Sequence, residues 1–432
     1  MERDRATGPM ETVFTVTAAN IVFGSGATRE LGDHAADLGL RRVLVFTDRR
    51  LRDLPPVATA LASLRSAGIE ADLYDQVEVE PTDASFQAAA DAARGGAYDG
   101  YIAVGGGSTI DTAKAANLYS TYPAPFLDYV NPPIGRGLPP PGPLRPLIAV
   151  PTTAGTGSET TGVAIFDFQE LQAKTGIAHR RLRPTVGIVD PDNLRTLPAT
   201  VAACAGFDVL SHALESFTAR PYRERPAPER PLLRPAYQGS NPFSDIWAEH
   251  AARLVATHLT RIVDDPNDAE AREAMALAAT YAGIGFGNAG VHLPHGMSYA
   301  VSGLVRDFTA PGYPEGRPLV PHGMAVILNA PAVFRWTAAA NPERHLQAAA
   351  LLGADVRDVR PAEAGDVLAA QLIALMRRTG MPNGLEGVGY SVADAEALAE
   401  RTLPQHRVTK LSPRPAERAD LEDLFRAAMR YW

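Results

Sequence analysis

The chain has a single cysteine, Cys204, in 432 residues, so no intrachain disulfide can form and a reducing compartment is the expected home. It has no apolar run of membrane length and no hydrophobic region near Met1 of the kind a signal peptide carries. An amphipathic, arginine-rich import segment is not evident either, so residues 1–10 are expected to form a short disordered tail and the expected location is the cytoplasm. Positive charge is not in excess. Lys and Arg number 41 against 49 Asp and Glu, and the net charge of −8 argues against nucleic acid or an anionic membrane as partner. A small anionic substrate stays open, because local arginines matter more than the total. No internal repeat is present, and low complexity is confined to proline-rich loops. With 46% hydrophobic and 21% charged residues the composition is ordinary for a globular protein, long enough for two or three domains.

Short β-branched runs alternate with alanine-rich helical stretches over the first 200 residues, the pattern of a doubly wound α/β domain. Strands are predicted at residues 42–48, 71–74, 101–104, 147–150 and 186–189, with a helix over 58–67 after the first. Residues 131–146 (NPPIGRGLPPPGPLRP) read as an irregular loop. From Pro198 the strands stop, and periodicity predicts helices at 199–218, 244–263, 267–283, 342–352, 364–379, 392–402 and 418–430. The prediction is an α/β dinucleotide-binding domain over residues 1–197 and an all-helical metal-binding and substrate domain over residues 198–432.

Asp208 and His212 stand four residues apart in helical sequence, on one face and about 6 Å from each other. Two further histidines follow in the glycine-flanked pairs His295-Gly296 and His322-Gly323. One carboxylate and three imidazoles suit Fe²⁺ or Zn²⁺, and the donor set alone does not choose between them. The bland alternative for Asp208 and His212 is an ion pair or a capped core histidine. Gly105-Gly106-Gly107-Ser108-Thr109-Ile110-Asp111 follows a predicted strand and opens a helix, where glycines admit close approach and free N–H groups attract a pyrophosphate. Ser108 and Asp111 equally fit a capping box, and the spacing is not that of the common dinucleotide fingerprint. After the next strand, the hydroxyls of Thr152 and Thr153 can line a cofactor's phosphates or ribose, or cap a tight turn. Asp48, at a strand's carboxyl end, can accept from a ribose diol and so favour NAD over NADP, or cap a helix. The glycines of residues 283–290 follow a helix rather than a strand and read as close helix packing. Cys204 reads as a buried small residue, and His292 as support or packing beside the metal histidines.

In combination and in this order, GGGSTID (105–111), PTTAGTGSE (151–159), IVDP (188–191), DVLSH (208–212), NAGVHLPHGM (288–297) and VPHG (320–323) resemble the iron-containing (group III) alcohol dehydrogenases, from about residue 15 to the C-terminus. The resemblance implies the two-domain, dehydroquinate synthase-like fold of those enzymes, an iron and NAD cofactor set, and a homodimer or larger homo-oligomer. It implies Asp208, His212, His295 and His322 as metal ligands. Gly105, Gly106, Gly107 and Ser108, with Asp111 in the same loop, would be the pyrophosphate site, Thr152 and Thr153 a second cofactor loop, and Asp48 the ribose acid. Lys174 resembles a lysine that reaches the cofactor, with a surface hairpin lysine as the alternative. Where many members carry a proton-relaying histidine four residues after the third ligand, this chain has Tyr299, whose hydroxyl is the candidate catalytic replacement and whose alternative is a packed aromatic. The 27 positions from His295 to His322 also imply an enlarged loop around residues 306–321.

These departures, with RPAYQGSNPFSDIWA (234–248), AGIGFGNAGVH (282–292) and LPQHRVTKLSPRP (403–415), make the chain most similar to the hydroxyacid-oxoacid transhydrogenase branch. That branch moves hydride from 4-hydroxybutyrate, giving succinate semialdehyde, to 2-oxoglutarate, giving 2-hydroxyglutarate, through bound NAD. Anionic substrates call for a guanidinium. Arg220, Arg223, Arg225, Arg230 and Arg234 of a proline-rich insertion are candidates, as are Arg407 and Lys410, with a solvated loop as the alternative for the insertion. An ordinary NAD-dependent alcohol or hydroxyacid dehydrogenase is the nearest rival, and a non-catalytic binding protein on the same scaffold the distant one. The Asp-His-His-His set argues against a dehydroquinate synthase-type lyase.

Overall fold

Val43 to Phe46 are buried on both faces, as a strand in the middle of a covered parallel sheet must be. The protein is described by a computed structural model over residues 9–171, 173–314, 316 and 318–432. Its strands are β1 (Asn20–Phe23), β2 (Arg42–Phe46), β3 (Glu70–Tyr74), β4 (Gly100–Gly105), β5 (Leu147–Pro151), β6 (Val163–Phe168), β7 (Ala173–Ala178) and β8 (Val186–Val189). Helices α1 (Leu31–Asp37), α2 (Pro55–Ser66), α3 (Asp83–Gly95) and α4 (Gly107–Thr121) fall between the strands. The main sheet is wholly parallel, in the order β1-β8-β5-β4-β2-β3. The chain moves outward from β2 to β3, then returns across β2 to β4 and continues to β5, so the winding reverses between the adjacent strands β2 and β4. A crevice opens at such a switch point, beyond the carboxyl ends of the strands. Those ends carry Asp48 after β2, Gly106 after β4 and Thr152 after β5.

The second half is helical: α5 (Ala199–Thr218), α6 (Pro242–Asp264), α7 (Ala269–Ala289), α8 (Leu293–Gly303), α9 (His322–Ile327), α10 (Ala330–Thr337), α11 (Pro342–Leu351), α12 (Ala364–Arg378), α13 (Ala395–Thr402), α14 (His406–Thr409) and α15 (Arg418–Ala427). Helix α5 is buried from Gly206 through Thr218 without interruption, packed by α6, α7 and α9. A helix buried all round has no solvated face on which to leave a charge, which makes Asp208, His212 and Glu215 on it conspicuous.

The predicted strands and helices are present; β1 and helices α1, α3, α8, α9 and α10 were not predicted, and three further regions differ. Residues 163–178 form an antiparallel hairpin, β6–β7, apart from the main sheet, where no strands were predicted. The predicted helix over 392–402 begins as a 3₁₀ turn, Val392–Asp394, before α13. Helix α7 runs on through the glycines to Ala289, and a Cβ on Gly283 would lie 2.3 Å from the Thr160 hydroxyl and 3.0 Å from the Gly157 Cα.

The expected N-terminal tail lies outside the described residues except for its end, and that end is fixed. Met10 bridges to Pro226, and the buried Glu11 carboxylate accepts from Arg234 Nε at 2.9 Å and Arg225 at 3.3 Å. Thr15 bonds Gln238, and Thr17 bonds Asn288. The insertion arginines Arg225 and Arg234 therefore serve Glu11.

Because the atoms facing Gly283 are mainly backbone, Gly283→Ala is expected to cost about 1–3 kcal/mol of stability. The readout is a lowered Tm in thermal unfolding, and an unchanged Tm would contradict the close packing.

Candidate metal and cofactor site

Asp208, His212 and Glu215 occupy positions i, i+4 and i+7 of α5 and so share one stripe. His295 stands in the first turn of α8, behind Pro294, and His322 opens α9 behind Pro321. Gly323 lets α9 lie against α5, for a Cβ there would fall 2.0 Å from the Cys204 carbonyl oxygen. The three elements converge on Asp208. Its Oδ1 lies 3.5 Å from His295 Nε2, 3.6 Å from His322 Nε2 and 3.7 Å from His212 Nε2. Donor atoms of Asp208, His295 and His322 all fall within 4.8 Å of one another.

Ligand atoms spaced tetrahedrally at about 2.1 Å from an ion are roughly 3.4 Å from each other, so this spacing suits one divalent cation. Satisfaction of polar atoms points the same way. Asp208 Oδ1 and His295 Nε2 are buried without a hydrogen-bond partner among the described residues, a cost of about 1–3 kcal/mol each unless something fills the gap. A carboxylate and three imidazoles fit Fe²⁺ or Zn²⁺.

The imidazoles are held from behind. Glu215, fully buried, accepts from His295 Nδ1 at 2.6 Å and from the His292 backbone N–H at 2.7 Å. This fixes the proton on Nδ1 and turns Nε2 toward Asp208. His212 stacks on Phe286, with ring centroids 3.8 Å apart and planes within 7°. Burial drives the His212 imidazole down to about 3, keeping it neutral and able to donate a lone pair. Burial also opposes charge on His295, but the carboxylates of Glu215 and Asp208 outweigh it and lift that imidazole to about 9. Against its own burial, Asp208 is held well below the usual carboxylate range by His212, His322 and His295. His292, paired with Thr218 and with Glu215, supports the cluster from one layer further out.

Two adjoining cavities, about 710 and 1230 Å³, share Glu80, Gly107, Ser108, Thr156, Asp208 and His322 as walls. The larger runs over the switch point and is lined by Asp48, Gly106, Thr152 and Thr153. There α4 starts at Gly107 with no side-chain cap, its first N–H groups facing the crevice. A Cβ on Gly107 would lie 2.4 Å from Thr156 Cγ2, so only glycine fits. Gly105 accepts from the Thr152 N–H at 3.0 Å, joining the two cofactor loops. Asp48 Oδ1 caps the turn at Arg50 and Leu51.

Several sequence expectations need correction. The capping box at Ser108 and Asp111 does not form: Ser108 Oγ accepts from the Glu80 N–H at 3.1 Å instead. Asp111 lines the smaller cavity and accepts from the Ile165 N–H at 2.9 Å and from the Ser158 hydroxyl, beside the fully buried Lys114. Lys174 sits in the hairpin, but its ammonium is buried between Glu80 and Asp167, whose carboxylates outweigh burial and hold it charged. It lines the smaller cavity, with Tyr299 and Arg407. None of the insertion arginines lines either cavity, and Lys410 does not. Glu215, Phe286 and Tyr237 were not singled out as site residues. Glu215 had a signal, its i+7 spacing from Asp208, whereas the other two lie in the stretches 234–248 and 282–292 but carry no metal-ligating group to mark them.

Residues 18–191 match the family described as iron-containing alcohol dehydrogenase, and residues 236–429 match the C-terminal part of that family. A Bos taurus protein named hydroxyacid-oxoacid transhydrogenase, mitochondrial, is 55% identical over 97% of this chain and 90% of its own length. Among solved structures, 1,3-propanediol oxidoreductase superposes with a TM-score of 0.84 at 29% identity, covering 96% of this chain and all of the other. A sulfoacetaldehyde reductase from Bifidobacterium kashiwanohense, solved with NAD⁺, gives 0.79 at 26% identity over 97% and 99%. The expected cytoplasmic location is overturned by the relatives, which are named mitochondrial. A single cysteine asks only that no disulfide be needed, and the cytosol is not the one compartment that meets that condition.

Glu215→Gln keeps the shape but removes the charge behind His295, and is expected to weaken divalent-ion binding about 10–100-fold. Metal content after dialysis against a graded chelator series measures this; retention equal to the unmodified protein would refute it.

Proposed function

The chain belongs to the iron-containing alcohol dehydrogenase family, and we propose that within it the protein is a hydroxyacid-oxoacid transhydrogenase, moving hydride from 4-hydroxybutyrate to 2-oxoglutarate through bound NAD. The observation that carries this reading is the junction of the two cavities at Asp208 and His322, where a small substrate and a dinucleotide can meet. In this reading residues 1–197 supply the dinucleotide half and residues 198–432 the metal and substrate half.

When bound, a divalent ion lowers the proton affinity of an alcohol oxygen and polarises a ketone, while the nicotinamide takes up or gives hydride. Asp208, His212, His295 and His322 are the residues proposed to hold the ion. The chain's other contribution is position. Uncapped N–H groups at Gly107 and Ser108 bind a pyrophosphate, with Gly105 and Gly106 giving it room and Thr152 and Thr153 flanking it. Asp48 has one oxygen in its turn cap and presents the other to a ribose diol, disfavouring a 2′-phosphate. Asp111 and Lys174 act at one remove, tying the glycine loop and Glu80 to the β6–β7 hairpin. Val163, Ile165, Phe286 and Val291 give the smaller cavity apolar walls that exclude water.

Tyr299 stacks near His322, with centroids 6.2 Å apart, at the position of the missing relay histidine. Burial raises its phenol above the ordinary value, so the hydroxyl stays protonated at neutral pH and acts by donating a hydrogen bond. Transhydrogenation then needs no further catalytic group. The residues of the larger cavity would have only to hold the dinucleotide while aldehyde is exchanged for oxoacid in the smaller one. By family analogy the working form is a homodimer or larger, and its partners are small acids.

Iron-loaded protein given 4-hydroxybutyrate and 2-oxoglutarate, with no added NAD⁺, is expected to form succinate semialdehyde and 2-hydroxyglutarate in equal amounts. Free NADH formed in proportion to aldehyde over many turnovers without oxoacid would instead identify an ordinary NAD-linked dehydrogenase.

A further inference from the structure

Apart from the imidazoles, the smaller cavity is lined by two basic side chains, Lys174 and Arg407. Lys174 is already neutralised by Glu80 and Asp167. Arg407, on α14, has no carboxylate partner among the described residues. Its guanidinium carbon lies 5.0 Å from the centre of the Tyr237 ring, and the group faces the Tyr237 and Tyr299 hydroxyls. Against burial, those two phenols hold it charged. A half-buried cation with no counter-charge, opening on a cavity for anionic substrates, is a vacancy for an anion. The geometry points to more than a general attraction. Tyr299 is one helical turn beyond His295 on α8, a rise of about 6 Å.

We propose that Arg407, with the hydroxyls of Tyr237 and Tyr299, anchors the distal carboxylate that both substrates have in common; this rests on the transhydrogenase reading above. In 4-hydroxybutyrate the carbinol carbon stands three C–C bonds from the carboxylate carbon. In 2-oxoglutarate the ketone carbon stands three C–C bonds from the far carboxylate. Each spans about 4 Å when extended, and the reacting oxygen adds a further bond. One anchor at a fixed distance from the metal cluster therefore serves both half-reactions, and it selects the acids by chain length. Arg407 presents a planar fork that a lysine lacks, and the two phenols can donate to the same carboxylate. The motif residues around Tyr237 and Arg407, 170 positions apart, acquire a shared purpose here.

The test uses the iron- and NAD-loaded enzyme and compares Arg407→Gln and Arg407→Lys with the unmodified protein. Arg407→Gln is expected to raise KM for both 4-hydroxybutyrate and 2-oxoglutarate about 10–100-fold with kcat within a few-fold, because an interaction present in ground and transition states alike is lost. The kcat/KM ratio of 4-hydroxybutyrate to 1-butanol should fall by a similar factor, and calorimetric binding of glutarate should weaken in parallel. Arg407→Lys should lie between. Tyr237→Phe, a milder change that keeps the ring, should raise both KM values about 3–10-fold and stands in should Arg407→Gln fail to fold. Unshifted KM values in a folded variant, or an equal loss on 1-butanol, would overturn the anchor while leaving the transhydrogenase reading intact. An unmodified enzyme that turns over neither acid would bring down that reading and the anchor with it.

Discussion

The helical half is arranged around one buried carboxylate, Asp208, at the meeting of the two cavities. Asp208 sits in the middle of a helix buried on all sides, and its Oδ1 faces three imidazole nitrogens at 3.5–3.7 Å. A lone buried charge of this kind is strongly disfavoured, so the surrounding elements have to deliver compensation from several directions at once. Helix α5 supplies His212 and Glu215, while α8 and α9 each bring a histidine in the first turn, where a preceding proline fixes the entry. Close approach of α9 requires Gly323, and the stacking of Phe286 on His212 requires α7 alongside. The packing of the domain and the assembly of its polar centre are thus one problem.

The α/β half meets a different constraint, the need to bring a backbone close to a negatively charged ligand. Reversal of the winding between β2 and β4 opens the crevice, and the three strand ends around it carry an acid, a glycine and a threonine, Asp48, Gly106 and Thr152. Glu80 joins the halves of the problem. It adopts a positive φ of 55°, donates its N–H to Ser108 and meets Lys174 with its carboxylate, so it ties the glycine loop to the β6–β7 hairpin.

How much of this could be read in the sequence follows from what each feature depends on. The central parallel strands β2, β4, β5 and β8 were legible because burial on both faces makes them apolar runs, whereas β1, a half-buried edge strand, was not. The β6–β7 hairpin was passed over because β7 (AKTGIA) has little strand pattern to pair with the apolar β6 (VAIFDF), and the pair lies outside the main sheet. Asp208, His212, His295 and His322 stand out by residue type and by their flanking glycines. Glu215 hides among the acids that any helix carries on its solvated face, and only the complete burial of α5 shows that it has no such face. Asp111 stands in the glycine loop and lines the smaller cavity, but its ties to Ile165 and Ser158 are contacts that a linear motif does not show. The insertion arginines drew attention by their number, and Glu11, more than 200 positions away, explains two of them.

That last contact also orders events in time. Glu11, Thr15 and Thr17 find their side-chain partners 214 to 271 positions further along the chain. Nothing local can hold the segment before Arg225, Gln238 and Asn288 are in place, and closing loops of that length is slow. This stretch therefore depends on the helical half for its anchorage, a clasp with nothing to fasten to until Arg225, Gln238 and Asn288 are in place.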